Sequence, residues 1–497
     1  MTKFFFRYIF LALTLVLCQG ISAAQTAPVA LNDIIGKGLP VVEVCTENEQ
    51  EPTCDIIYAP EGLTGTSITN AIKVPGRLKI YDNEGAVAYD TGDYVKSESG
   101  MTIKVRGNTS AITKPKPFKI KLQKKGDLLR RGDKKYNDKN WVLLKDYALT
   151  TFVGFTVNEA FKLYWTPQGE YVSLMINGTY RGIYLLAEAV ERNADCRINV
   201  DKSGFIAELD PYWWNEDGEY LTSLSWNPWL NYTLKYPDFE DATEDQLNYI
   251  QSALDEYEQS IIDDTYDQVI DCESFARALL AQDCLGIQDW SGSNIYFSKY
   301  DDSADSKMHR PVLWDFDTSE CTPDAWSNPH IHYFNQFLDS PNTAFKAAYI
   351  DLWNREGRQA IDQVIEKIEA FRNSDRIEAV NRAAELTKQH LGLSMWKPQD
   401  CLDRSIAWYK SRKAWMENAI GNMEEEFKAS VSEIGDSETP PVVIEGNTIR
   451  SANGEPFSVY TLQAIPLSTD GASEVTVPGS GVYIIVSTNK SLKINIQ

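Results

Sequence analysis

The sequence predicts an α+β protein in three successive parts: a β-rich half, a helical half and a small all-β end module. Three observations carry this. Before residue 190, short runs alternate apolar and polar residues. After about residue 240, apolar residues recur every three or four positions. A polar, Pro-containing stretch at 431–445 then precedes a last series of short alternating runs broken by Gly and Ser. The 497 residues and 56.2 kDa allow two or three folding units. With 43% hydrophobic and 24% charged residues, a wholly disordered chain is excluded.

Residues 1–24 read as a secretory signal peptide. Lys3 and Arg7 form the positive start, residues 10–17 the apolar core, and Ser22-Ala23-Ala24 the small residues for cleavage near Gln25. The protein is therefore expected outside the cytoplasm, secreted or at the cell surface. Export permits disulfides, and Cys45 and Cys54, bracketing a short polar stretch, are the local candidate pair. Seven cysteines follow the leader, an odd number that leaves a thiol over.

In the β-rich part, residues 38–190, strands are expected at 41–44, 77–81, 101–105 and 118–122. On the last, Phe118, Ile120 and Leu122 face one way, and Lys119 and Lys121 the other. Residues 171–176 and 180–187 flank Asn177-Gly178, a pair suited to a type I′ hairpin turn. One helix interrupts this half at 150–163. In the helical part, about 190–430, Leu247, Ile250, Leu254, Tyr257 and Ile261 mark one helix, which Asp241 or Thr243 caps. Ile361, Val364, Ile365, Ile368 and Phe371 mark a second; Trp415, Met416, Ile420, Met423 and Phe427 mark a third. Between the first two, residues 294–300 and 310–316 read as a strand pair. Residues 446–497 form the end module.

The formal charge of −23 argues against nucleic acid as the main partner. No interior apolar run of about 20 residues offers a membrane span. The four histidines, His330 and His332 among them, lack zinc-ligand spacing.

The chemistry gathers between residues 289 and 317. Phosphoryl transfer needs a carboxylate at the acceptor hydroxyl, an amide and a second carboxylate on magnesium, and cations on the donor phosphates. Protein kinases space the first two as D-x-x-x-x-N and place the metal Asp before Phe one hairpin later. Asp289 and Asn294 have that spacing, and Trp314-Asp315-Phe316-Asp317 follows one expected hairpin later. Asp289 is thus the candidate base, with Asn294 and Asp315 the candidate metal ligands. Upstream, the polar turn Arg106-Gly107-Asn108-Thr109-Ser110 stands where a loop would cover phosphates, and the next strand supplies lysines. Glu188 falls where a hinge between two lobes would sit. A bilobal protein-kinase-like fold is the expectation, with the nucleotide between the β-rich and helical lobes.

Further stretches agree: Lys114-Pro115-Lys116-Pro117-Phe118, Asn140-Trp141-Val142-Leu143-Leu144, and Ile176-Asn177-Gly178-Thr179-Tyr180-Arg181-Gly182-Ile183-Tyr184. Together these motifs, from about residue 39 to 427, resemble the CotH-type kinases, a family named for a bacterial spore-coat protein. The resemblance implies an atypical protein kinase that uses ATP with Mg²⁺ or Mn²⁺ to phosphorylate Ser or Thr of secreted or surface proteins. It places Lys116 and Lys121 at the family's recurring lysines, with Lys121 the favoured phosphate ligand. The family usually carries an Asp after the Trp-Val-Leu-Leu strand and, five residues later, Arg-Asn. Leu149, Gly154 and Phe155 stand there in this chain. Glu159, later in that helix, is then the expected partner of the strand lysine. The family's Gly after Asp-Phe-Asp is also absent, with Glu320 nearby. The end module is similar to the C-terminal sorting domains of Bacteroidetes secreted proteins, through residues 459–463, 481–485 and 493–496.

Two other readings start from the same residues. The 13 Trp, with Trp213-Trp214 and the 226–229 stretch as sugar platforms, suit a surface-binding protein without catalysis. The acidic composition also permits a two-carboxylate glycoside hydrolase, although no spacing points to one.

Overall fold

The structure is a computed structural model. It describes residues 28–69, 72–215, 219–224, 229–287, 294–327, 334–433, 442–452, 454–461, 466–479, 481–487 and 490–496. The leader, Asp289, Trp226, the pair His330 and His332, and linker residues 434–441 lie outside the described residues.

Ten strands come first: β1 Val41–Thr46, β2 Ile56–Tyr58, β3 Thr66–Ile68, β4 Val74–Tyr81, β5 Val87–Asp90, β6 Met101–Val105, β7 Phe118–Gly126, β8 Asp138–Leu144, β9 Gly169–Ile176 and β10 Thr179–Glu188. Seven of them close into a barrel in the order β1-β9-β10-β8-β7-β6-β4. The closure is made by β1, which pairs parallel to β9 and antiparallel to β4. The β5 strand lies beside β4, and β2–β3 form a separate hairpin. Alternation explains the barrel: Val42, Val44, Leu78, Ile80, Ile103, Phe118, Ile120 and Leu122 fill its interior. Burial of each such side chain contributes roughly 1.5–3 kcal/mol. Between β9 and β10, Asn177 (φ 49°) and Gly178 (φ 71°) both take left-handed backbone, the type I′ geometry that Asn-Gly tolerates.

A second, antiparallel sheet follows: β11 Phe205–Asp210, β12 Leu221–Thr222, β13 Asn231–Tyr236, β14 Ile295–Lys299 and β15 Met308–His309, in the order β12-β13-β11-β14-β15. Residues 205–210, 221–222 and 231–236, grouped with the helical part by sequence, are therefore strands. The strand expected at 310–316 is reduced to Met308–His309 plus one bridge, Ile295 to Leu313. Pro311 has no N–H to give the ladder.

The helices are α1 Leu31–Ile34, α2 Thr109–Ile112, α3 Thr150–Ala160, α4 Glu244–Ile262, α5 Cys272–Leu285, α6 Phe334–Asp339, α7 Ala344–Leu352, α8 Arg358–Arg372, α9 Asp375–Leu391 and α10 Pro398–Glu433. Helix α4 starts at a capping box in which Thr243 Oγ1 accepts from Gln246 N. One large core joins the helices, the second sheet and the outer faces of β8 and β10, through Val142, Leu144, Leu185 and Ala187. The β-rich and helical regions are thus fused along one side of the barrel. No helix among the described residues is long and apolar enough to cross a membrane.

The end module has strands β16 Val442–Glu445, β17 Thr448–Ser451, β18 Phe457–Thr461, β19 Pro466–Ala472, β20 Glu474–Thr476, β21 Gly481–Ser487 and β22 Lys490–Ile496. They make a three-stranded and a four-stranded sheet around one small core that includes Ile449, Val459 and Ile485. The expected Cys45–Cys54 bridge is absent. All seven described cysteines carry free thiols, Cys45 on an exposed position of β1.

Candidate active site

A cleft of about 810 Å³ runs between the outer face of β6–β8 and the second sheet. From the barrel side come Lys104, Arg106, Gly107, Asn108, Ser110, Lys119, Val142 and Lys145. From the opposite side come Glu208, Asp210, Lys235, Asn294, Tyr296, Asp315 and Asp317, with Ala189, Val190, Glu191 and Leu234 closing the apolar end. Three side chains bridge the two walls: Ser67 Oγ donates to Asn108 Oδ1, and Asn215 Nδ2 donates to Ser67 Oγ at 2.8 Å.

Local structure explains how the carboxylates are presented. Asp315 and Asp317 are exposed while Phe316 between them is only 1% exposed, so the pair straddles an anchored ring. Asn294 (φ 64°) and Asp315 (φ 63°) both take left-handed backbone, a strained conformation for a side-chain-bearing residue that the surroundings must hold. Helix α3 does part of the holding. Asn158 Nδ2 donates to the Leu313 carbonyl at 2.9 Å, and Phe155 packs on Trp314 and Phe316. A Cβ on Gly154 would stand 2.3 Å from the Phe316 ring. The departure from the family pattern at 154 is therefore the space that Phe316 fills.

The departure at 149 also has a counterpart. Leu149 occupies the helix N-cap with left-handed backbone and no side-chain cap. Asp146 does that work from three residues earlier. Its carboxylate accepts from Thr151 N at 3.0 Å, Phe152 N at 3.2 Å and the Tyr171 hydroxyl at 2.6 Å. Burial pushes the Asp146 carboxyl up, and those donors oppose the shift.

Of the residues singled out by sequence, Arg106, Asn294 and Asp315 line the cleft together. Lys121 lines an adjoining pocket of about 270 Å³ that shares Lys104, Lys119 and Glu191 with it. Lys116 does not line the cleft: its Nζ donates to the Ala111 carbonyl at 2.6 Å and lies 3.6 Å from Cys54 Sγ. Glu188 is buried behind the cleft wall, where it accepts from Arg131 at 2.9 Å and Gln168 N at 3.0 Å. Burial pushes its carboxyl up, against Arg197 and Arg131. Glu159 is exposed and pairs with Lys367, not with a strand lysine. The strand lysine that is paired is Lys119, with Glu191 at 2.9 Å. Trp213 and Trp214 are half-buried, with Trp213 against Tyr220 at 4.2 Å.

Residues that sequence reasoning passed over also reach the cleft: Asp317, Lys145 and the pair Glu208–Lys235, 2.8 Å apart. The second aspartate of Asp-Phe-Asp and the lysine ending the Trp-Val-Leu-Leu strand were the available signals. Beyond Asp317, the chain is pinned by Arg412, which donates to the Pro323 carbonyl at 3.0 Å, and by Asp283, which accepts from Ser327 N at 3.0 Å. Glu320 lies on this segment, accepting from Ser405 Oγ at 2.9 Å, with its carboxyl pushed up by burial to about 7.

Asn294, Asp315 and Asp317 offer oxygen ligands, which suit Mg²⁺ or Mn²⁺. No three carboxylate, His or Cys side chains converge on one metal position among the described residues. Two carboxylates and an amide are the sparse set expected where Mg²⁺ is held jointly with phosphate oxygens.

No curated protein matches this chain. The sequence pattern of the family described as CotH kinase protein matches residues 103–416, a span that runs from within β6 through β7, α3 and the second sheet to about the middle of α10. With cleft, motif order and pattern in agreement over that span, the chain belongs to the CotH kinase protein family.

Proposed function

We propose that this protein is a secreted, atypical protein kinase that transfers the γ-phosphate of ATP to Ser or Thr of extracellular or surface proteins. The barrel and the helical region with its second sheet act as the two lobes of a kinase-like arrangement. The observation that carries the reading is the polarity of the cleft: Arg106 and Lys145 on the barrel wall face a region bearing Asn294, Asp315 and Asp317. The apolar end, with Val142, Ala189, Val190 and Leu234, suits a nucleobase. Arg106 and the 107–110 turn orient the donor phosphates. Asn294, Asp315 and Asp317 hold Mg²⁺, which supplies charge neutralisation on the phosphates when bound. Asp289, five residues before Asn294, accepts the proton of the acceptor hydroxyl. The leader and the end module suit export across the envelope, the module as a sorting signal.

The test is incubation of the mature protein with labelled ATP, Mg²⁺ or Mn²⁺, and secreted proteins from the same source. Label on a Ser or Thr, dependent on the metal, is expected. Absence of both metal-dependent nucleotide binding and transfer would leave a kinase-like binding protein in its place.

A further inference from the structure

We propose that Lys145 is a cation with two successive partners: before nucleotide arrives it balances Asp315 and Asp317, and afterwards it turns to the donor phosphates. The inference rests on the kinase reading above and assigns a positioning cation within that site.

Lys145 directly follows β8 and lies on the cleft wall, half-buried. Its Nζ donates to the Ser110 carbonyl at 3.2 Å and to Thr113 Oγ1 at 3.0 Å, both neutral acceptors on the cleft rim. Neither cancels its charge. Burial pushes the Lys145 ammonium down from the ordinary lysine range; Asp317 and Asp315, on the same cleft, oppose that shift and Lys116 adds to it. Two other cleft cations have fixed anionic partners: Lys119 pairs with Glu191 at 2.9 Å and Lys235 with Glu208 at 2.8 Å. A flexible four-carbon stem whose hydrogen bonds among the described residues go to neutral acceptors can turn to a phosphate once a metal has taken the carboxylates.

The proposal demands two effects of opposite sign. Mn²⁺ alone is titrated against the nucleotide-free full chain by electron spin resonance, and a fluorescent ATP analogue is then titrated with Mn²⁺ saturating. Lys145→Met should bind Mn²⁺ alone about two- to fivefold more tightly, since a competing cation is gone. It should bind the nucleotide about tenfold or more weakly, since a charge-assisted contact is lost. Lys145→Arg should recover nucleotide binding. A merely structural lysine would weaken both titrations, and that result overturns the proposal. So does an unchanged nucleotide affinity in Lys145→Met with a wild-type melting curve, or wild type that binds neither probe. Wild type that binds Mn²⁺ but no nucleotide ends the kinase reading. In that event the first titration still decides whether Lys145 competes with the metal, and the phosphate half of the proposal is overturned.

Discussion

Adding one methyl group at Gly154 should disturb the candidate metal site without touching it. An ideal Cβ there lies 2.3, 2.3 and 2.4 Å from three atoms of the Phe316 ring. Ordinary carbon–carbon contact begins near 3.5 Å, so ring or helix must yield by roughly 1 Å. The ring is 1% exposed and packed against Phe155, and α3 is held to the Leu313 carbonyl through Asn158, so neither side has free space. Overpacking of this kind costs about 1–3 kcal/mol. Part of the displacement passes to Asp315 and Asp317, the neighbours of Phe316 in sequence. Gly154→Ala should therefore lower unfolding stability in denaturant by that amount and weaken Mn²⁺-dependent nucleotide binding by about tenfold for each 1.4 kcal/mol transmitted. The longer side chain of Gly154→Arg should be worse still. Shortening the ring in a Gly154→Ala, Phe316→Leu double variant should recover part of the loss, a non-additivity expected of residues in contact. Gly154→Ala with unchanged stability and unchanged metal-dependent binding would refute the reasoning.

Asp315→Asn should weaken metal-dependent nucleotide binding itself, whereas Asp289→Asn should leave binding nearly intact and lower transfer by about 10²–10⁴-fold; wild-type transfer by the second variant would remove Asp289 as the base. Asp146→Ala removes the cap of α3 and leaves the Tyr171 hydroxyl unpaired in the core, so unfolding stability should fall by about 2–4 kcal/mol; a loss below 0.5 kcal/mol would contradict that assignment. Glu320 has its carboxyl raised to about 7, above the ordinary 4.5, so the folded state holds its proton more tightly. That contribution to stability is complete below about pH 4.5 and is lost as pH rises through about 7, up to roughly 3 kcal/mol in all. Glu320→Gln should thus raise the melting temperature at pH 8 relative to wild type and gain little at pH 5; equal shifts at both would oppose the assigned cause.

Local patterns were readable where the structure is local. Strand β6 has the expected bounds, Asn177-Gly178 makes the expected turn, and Thr243 caps α4. Closure of the barrel was not readable, because the parallel pairing of Val41 with Ser173 leaves no mark near either residue. Helix α5 was not readable for another reason: ten of the eleven positions from Phe275 to Leu285, all but Arg277, are buried, so it shows no stripe of the amphipathic kind. In the site, the motif order picked out Asn294 and Asp315. Lys145 and Asp146 were hidden because their roles come from what stands opposite them in space, a turn at 110–113 and the hydroxyl of Tyr171. The strand lysines shared a face as expected, but the twist of the barrel puts Lys119 in the main cleft and Lys121 in the pocket beside it.

The closing strand β1 also sets an order of events in time. In chain order one of its neighbours, β4, follows soon after it. The other, β9, is synthesised only once the whole of β6, β7, β8 and α3 has appeared. Until then Val41–Thr46 has one side of its ladder unsatisfied, and contacts of such long sequence separation are slow to form. The barrel can therefore seal only after residue 176 is available, so its closure waits on the last-made of the two neighbours of β1.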